Sequence, residues 1–201
     1  MSARYPLLQE FLSSLEEAFA ATSLVPQADA AVSRINNALR TPAAAGTAPV
    51  RRLPVCRYLD DAFAAGRAAP RPIARLTNAF AALEPSLAWA VRPSGGPFAS
   101  DNWSDGHANA TIVGPNGLEN RSDLSIGVSL LAPHVRYPDH NHGPEEVYLV
   151  LSPGRFQHGD SGWFAPGVGG TLYNEPNIEH AMASDDAPLL AIWCLWIGKR
   201  D

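Results

Sequence analysis

Two rhythms of apolar and polar positions run along this chain, and one gives way to the other near Glu84-Pro85. Before that point the spacing is helical. Leu7, Leu8, Phe11, Leu12, Leu15 and Phe19 recur at three and four residues and share one helix face, with Glu10, Glu16 and Glu17 off it. A second helix is predicted over 27–40, with Ala30, Ala31, Ile35, Ala38 and Leu39 as its apolar side. Residues 41–54 read as a linker, because Pro42, Gly46, Pro49 and Pro54 interrupt any regular element. Two shorter helices, 58–65 and 73–83, flank Pro70 and Pro72.

After the break, short apolar runs alternate with turn residues. Strands are predicted at 87–91, 110–113, 124–131, 147–151, 162–164, 171–173 and 189–196, and Gly114-Pro115-Asn116-Gly117 is a turn signal. Many short strands at regular spacing predict a sandwich or barrel. The expected architecture is therefore mainly β with α: a helical N-terminal region, 1–85, leaning on a C-terminal β-barrel, 86–201.

Composition narrows the function classes. At 201 residues, 46% hydrophobic and 17% charged, the chain can bury a substantial core. A net charge of −5 with no basic run argues against nucleic acid as a partner. The longest apolar run, 187–197, contains Pro188 and is shorter than a membrane span of about 18 residues or more, so no membrane association is expected. Two cysteines, Cys56 and Cys194, make no disulfide framework. With no leader pattern at the N-terminus, a soluble cytoplasmic protein is expected.

The chemistry gathers in 137–154. His140 and His142 are two apart, so on extended chain both imidazoles point the same way. Glu146 follows four residues later, across Gly143-Pro144. His180 comes 34 residues after Glu146, behind Pro176. Three imidazoles and a carboxylate suit one divalent first-row metal: Zn, Fe, Mn, Co or Ni. His134 is a weaker candidate, structural or outside the ligand set. His107 and His158 read as loop histidines, although His107 could reach the site.

His-x-His, three residues, Glu, an apolar strand, then a distant His after a proline resembles the two metal-binding motifs of the cupin superfamily, whose fold is a double-stranded β-helix or jelly-roll barrel. His140, His142 and Glu146 fit the first motif. His180 in Pro176-Asn177-Ile178-Glu179-His180 fits the second, with Ile178 where a glycine is usual. The fuller string from Tyr137 to Ser152, with helices before it and a Trp-rich last strand after it, resembles the cupin-type dimethylsulfoniopropionate (DMSP) lyases. That resemblance implies His140, His142, Glu146 and His180 as metal ligands and Tyr148 and Tyr137 as catalytic tyrosines. It implies a lyase that cleaves DMSP, a zwitterionic sulfonium carboxylate, by β-elimination into dimethyl sulfide and acrylate.

The residues fit that chemistry on their own terms. A weak carbon acid needs a strong base, and a cation beside a tyrosine favours its phenolate. Strand parity puts Tyr148 on the Glu146 face, which favours it as base; the alternative is an aromatic that fills the barrel. Tyr137 would orient the carboxylate or share the proton. A sulfonium is attracted by aromatic faces. Trp193 and Trp196 are candidates, on opposite faces of their strand, with Trp193 favoured for the pocket; Tyr173 and Trp163 are others. The helices could close the barrel mouth or pack a homodimer. A metal-dependent dioxygenase and a non-enzymatic small-molecule-binding cupin are the competing readings.

Overall fold

In the computed structural model, which describes residues 4–93 and 96–198, helices layer against a β-barrel and share one apolar core with it. Helix α1 (Pro6–Ala20) starts with proline at its first turn, where a missing N–H costs nothing. It buries Leu8, Phe11, Leu12, Leu15, Ala18 and Phe19. Phe11 meets Phe80 of α4 (Arg71–Leu83) at 6.0 Å, and Phe63 of α3 (Leu59–Arg67) meets the same ring edge-on at 5.9 Å.

Helix α2 (Pro26–Leu39) turns out differently from its predicted apolar side. Ala28, Ala31, Val32, Ile35 and Leu39 are buried, whereas Ala30 is exposed and Ala38 only half-buried. The buried set follows i, i+3, i+4, i+7 and i+11, a stripe that Ala30 lies off. The stripe packs on the barrel's outer face.

The linker is more ordered than its prolines and glycine suggest. It supplies β1 (Ala44–Ala45), which pairs with β3 (Glu119–Asn120), and a bridge from Arg51 to Ala88. Gly46 sits where a side chain would run into the Gly117 carbonyl, so the two backbones meet only through glycine. The expected strand at 87–91 is reduced to single bridges at Ala88 and Ala90. That at 162–164 is reduced to a bridge between Phe164 and Phe156.

The main sheet runs β1-β3-β2-β4-β9-β5-β7, with β2 at His107–Val113, β4 at Leu124–Leu131, β5 at Glu145–Val150, β7 at Thr171–Asn174 and β9 at Leu189–Trp196. A smaller sheet joins β6 (Arg155–His158) to β8 (His180–Ala183), and the chain around Arg136 and His140 bridges onto β8. The two sheets form the expected cupin barrel. Strands β4 and β5 are buried along their whole length, although β4 alternates Leu124, Ile126, Val128 and Leu130 with Ser125, Gly127 and Ser129, and β5 opens on Glu145 and Glu146. Sequence patterning did not predict β6, β8 or the one-turn helix α5 (Trp103–Gly106). No helix among the described residues is long and apolar enough to cross a membrane.

Candidate active site

The register of β5 sets the site. Glu146 pairs with Leu195 of β9 and Asn174 of β7; Tyr148 pairs with Trp193 and Leu172. Glu146, Tyr148, Trp193 and Leu195 face one interior cavity of about 550 Å³. Opposite them, His140 bridges to His180 at the start of β8, through backbone bonds in both directions.

His142, Glu146 and His180 bring ligand atoms within 4.8 Å of one another. His140 stands beside this group, its ring 4.1 Å from that of His180 and 6.3 Å from that of His142. In each of the three histidines Nδ1 lies against a backbone carbonyl: Pro138 for His140, Pro144 for His142, Ile178 for His180, at 2.9, 2.9 and 3.0 Å. A carbonyl can only accept, so every Nδ1 carries the hydrogen, and in the neutral ring Nε2 presents its lone pair. Nε2 of His142 and of His180 are buried without a hydrogen-bond partner, 3.4 and 3.3 Å from the same oxygen of Glu146. Three acceptors that face one point out of water make a group that could hold a cation between them. The donor set fits a divalent transition metal, and the backbone carbonyls fix the ring orientations as metal-binding histidines need.

Electrostatics agree with an ionised Glu146. Burial opposes its charge, but His142, His180 and the Asn174 amide (Nδ2 to Oε2, 2.9 Å) outweigh it and hold the carboxyl below its ordinary range. Asn174 is oriented in turn by His158. Because its nitrogen serves Glu146, its oxygen accepts from His158 Nδ1 at 3.2 Å. His158, on β6, therefore supports the carboxylate from behind. Burial, with the neighbouring His180, lowers His140 to about 3. Burial also lowers His180, while for His142 the Glu146 carboxylate overcomes burial and raises the pKa.

Both tyrosines are buried at the cavity wall. Tyr137 Oη accepts from Asn109 Nδ2 at 3.0 Å, and Asn109 Oδ1 accepts from Ser129 at 2.7 Å. Burial raises the Tyr137 pKa against the pull of Asn109 and Arg92. Tyr148 is raised further, by burial and then by the Glu146 charge beside it.

The aromatic candidates separate. Trp193 lines the cavity and lies over Gly127, where any side chain would overlap the indole. Trp196 and Tyr173 do not line it. They stand on the other face of the sheet, where Tyr173 donates to Glu145 at 2.9 Å and Arg34 of α2 lies 6.0 Å from the Trp196 ring. Trp163 sits between Arg136 and Arg155, away from the cavity. His134 is exposed and faces Asp186 at 3.6 Å. His107 is no loop residue: it opens β2, buried and stacked on Trp103 at 4.1 Å. Sequence reasoning missed Arg92, Asn109, Ser129 and Asn174. Asn109, Ser129 and Asn174 sit on different strands that only register could have aligned, and Arg92 lies in the irregular stretch before β2.

A family model described as dimethylsulfoniopropionate lyase matches residues 27–191. The chain belongs to that family. Among curated proteins, it is 28% identical over 95 residues to a Cereibacter sphaeroides protein provisionally named dimethylsulfoniopropionate lyase DddL. That match covers 47% of this chain and 40% of the relative's length. Among solved structures it resembles the DMSP lyase DddQ from Ruegeria pomeroyi, with TM-score 0.72 and 18% identity over 95% of this chain and 91% of the other. A structure reported with the DMSP lyases RdDddP and RnDddQII gives TM-score 0.70 and 20% identity, over 95% and 92% of the two chains. These two likenesses span the helices as well as the barrel, so the helical layer belongs to the shared fold.

Proposed function

We propose that this protein is a metal-dependent carbon–sulfur lyase that cleaves DMSP into dimethyl sulfide and acrylate, with Tyr148 as the general base. The observation that supports the reading is a buried tyrosine two residues along β5 from Glu146, lining the same cavity as His142 and Glu146 of the candidate metal group. His140 completes the ligand set from the edge of that group. A divalent transition metal (Zn, Fe, Mn, Co or Ni) bound there would favour the Tyr148 phenolate and spread the negative charge that develops on the substrate carboxylate.

The residues then divide the work. Tyr148 takes the proton from the carbon next to the carboxylate. The electron pair of that C–H bond becomes the new C–C double bond. The bond from the next carbon to sulfur breaks, and its electrons leave with sulfur as neutral dimethyl sulfide. Tyr137, whose oxygen already accepts the Asn109 N–H, keeps its own hydrogen to donate into the cavity. Trp193 offers its face to the sulfonium. The apolar wall around it limits water.

The test is anaerobic incubation of the metal-loaded protein with DMSP and gas chromatography of the headspace. Dimethyl sulfide is expected without oxygen consumption; its absence refutes the lyase reading. Tyr148→Phe should lower turnover by roughly a hundredfold or more, the usual contribution of a general base, with metal content unchanged.

A further inference from the structure

Arg92 is a guanidinium at the cavity wall that hydrogen-bonds Tyr137 and to which the proposed reaction gives no task. It lines the same cavity as the ligand cluster, half-buried, with its charge 5.8 Å from the Tyr137 ring centroid. Other arginines near the barrel have acids: Arg34 pairs with Glu145, Arg136 with Asp139 and Arg155 with Asp185. Among the described residues no ion pair joins Arg92 to a carboxylate.

Its backbone is nevertheless held firmly. The Arg92 N–H donates to Nε2 of His107 at 2.9 Å, and the other nitrogen of that ring donates to the Trp103 carbonyl. A buried, stacked histidine with both nitrogens committed fixes the main chain from which the guanidinium extends. Next to it, Asn109 and Tyr137 add polar hydrogen-bonding groups. This basic, donor-rich corner lies on the β2 side of the cavity. Trp193 lies two strands away on β9, a separation of about 10 Å at the usual strand spacing.

We propose that Arg92, aimed by His107, receives the substrate's carboxylate and makes the cavity selective for ligands that carry a free one. The inference rests on the lyase reading for the identity of that ligand. It also orients it: the carboxylate sits toward β2, and the sulfonium, which Arg92 repels, sits toward Trp193.

Acrylate, the carboxylate product, tests this without turnover. Calorimetric titration of the metal-loaded protein should show acrylate binding that weakens by roughly tenfold to a hundredfold in Arg92→Gln, the usual scale for losing a charged hydrogen-bond partner. Arg92→Lys should recover part of the loss. With DMSP, Arg92→Gln should raise KM by a similar factor and change kcat less, with metal content and melting temperature unchanged. His107→Gln, whose amide oxygen can still accept the Arg92 N–H, should retain more acrylate affinity than His107→Leu. Wild-type protein that binds no acrylate, or an Arg92→Gln variant that binds it within twofold of wild type, overturns the proposal. Absence of dimethyl sulfide from wild-type protein overturns the lyase reading instead, and the acrylate titration still decides the role of Arg92.

Discussion

Gly127→Ala probes how the cavity keeps its shape. A methyl group at this position would overlap the Trp193 indole and stand 2.5 Å from the Ala110 carbonyl oxygen. Neither neighbour is the loose end of a flexible chain. Ala110 O belongs to β2, and Trp193 is locked in register between β4 and β5. Two effects oppose each other. Replacing glycine by alanine restricts the unfolded chain and stabilises by about 0.4–1 kcal/mol where the conformation allows it. Overpacking a filled site costs about 1–3 kcal/mol. The second wins, so a net loss of about 1–2 kcal/mol is expected, or about 2–8 °C in melting temperature for a chain of this size. The indole can escape only into the cavity, so the KM for substrate should rise as well. Differential scanning calorimetry and tryptophan fluorescence read the first effect, and steady-state kinetics the second. An alanine variant that melts at or above the wild-type temperature with unchanged KM would refute this account of Gly127.

Asn174→Leu removes the amide that donates to Glu146 and accepts from His158; metal affinity should fall by about tenfold to a hundredfold, as for other partners behind a ligand, by competition with a chelating dye. Arg34→Ala leaves Glu145 (side chain 3% exposed) buried with Tyr173 as its remaining partner, and should cost about 3–5 kcal/mol in urea unfolding, whereas replacing both Arg34 and Glu145 by methionine should cost far less. Glu119 is opposed by burial but held below its ordinary 4.5 by Arg4 and Arg121. Its ion pairing therefore stabilises the fold above about pH 4.5 and is lost as pH falls through the lower folded value, so the urea midpoint should drop on acidification, less steeply in Glu119→Gln.

Much of the fold was legible because its signals are local. Helical spacing in α1 and α4, the alternation of β4, the apolar run of β9 and the break at Glu84-Pro85 are each read within a few neighbouring residues. The ligand candidates were legible for the same reason: His-x-His and the following Glu146 lie within seven residues. What escaped depends on register. Tyr173 pairs with Val147, not with Glu146 or Tyr148, so it belongs to the outer face; no pattern in its own strand says so. Trp196 stands opposite Glu145 for the same reason. Short strands such as β6 and β8 carry too few residues for alternation to show, and His158 was read as a loop residue in consequence. Arg92 lies beside a Pro-Ser-Gly-Gly stretch, where nothing periodic points to a direction.

The adjacent carboxylates Glu145 and Glu146 show why helices and barrel form one functional object. Successive residues of a strand face opposite sides, so one acid enters the cavity and its neighbour must leave it. On the outside of this strand α2 packs over Glu145 and leaves its side chain 3% exposed. An unpaired carboxylate there would be untenable, and Glu145 is met by Arg34 at 2.6 Å and by the Tyr173 hydroxyl at 2.9 Å. The clamp on one side of β5 thus fixes the backbone from which Glu146 and Tyr148 reach to the other. A barrel stripped of its helices would keep the histidine motif but expose Glu145 and free the strand that carries the candidate carboxylate ligand and the proposed base. The helical layer is thereby tied to the chemistry through a single residue of parity, without any helix residue entering the ligand cluster.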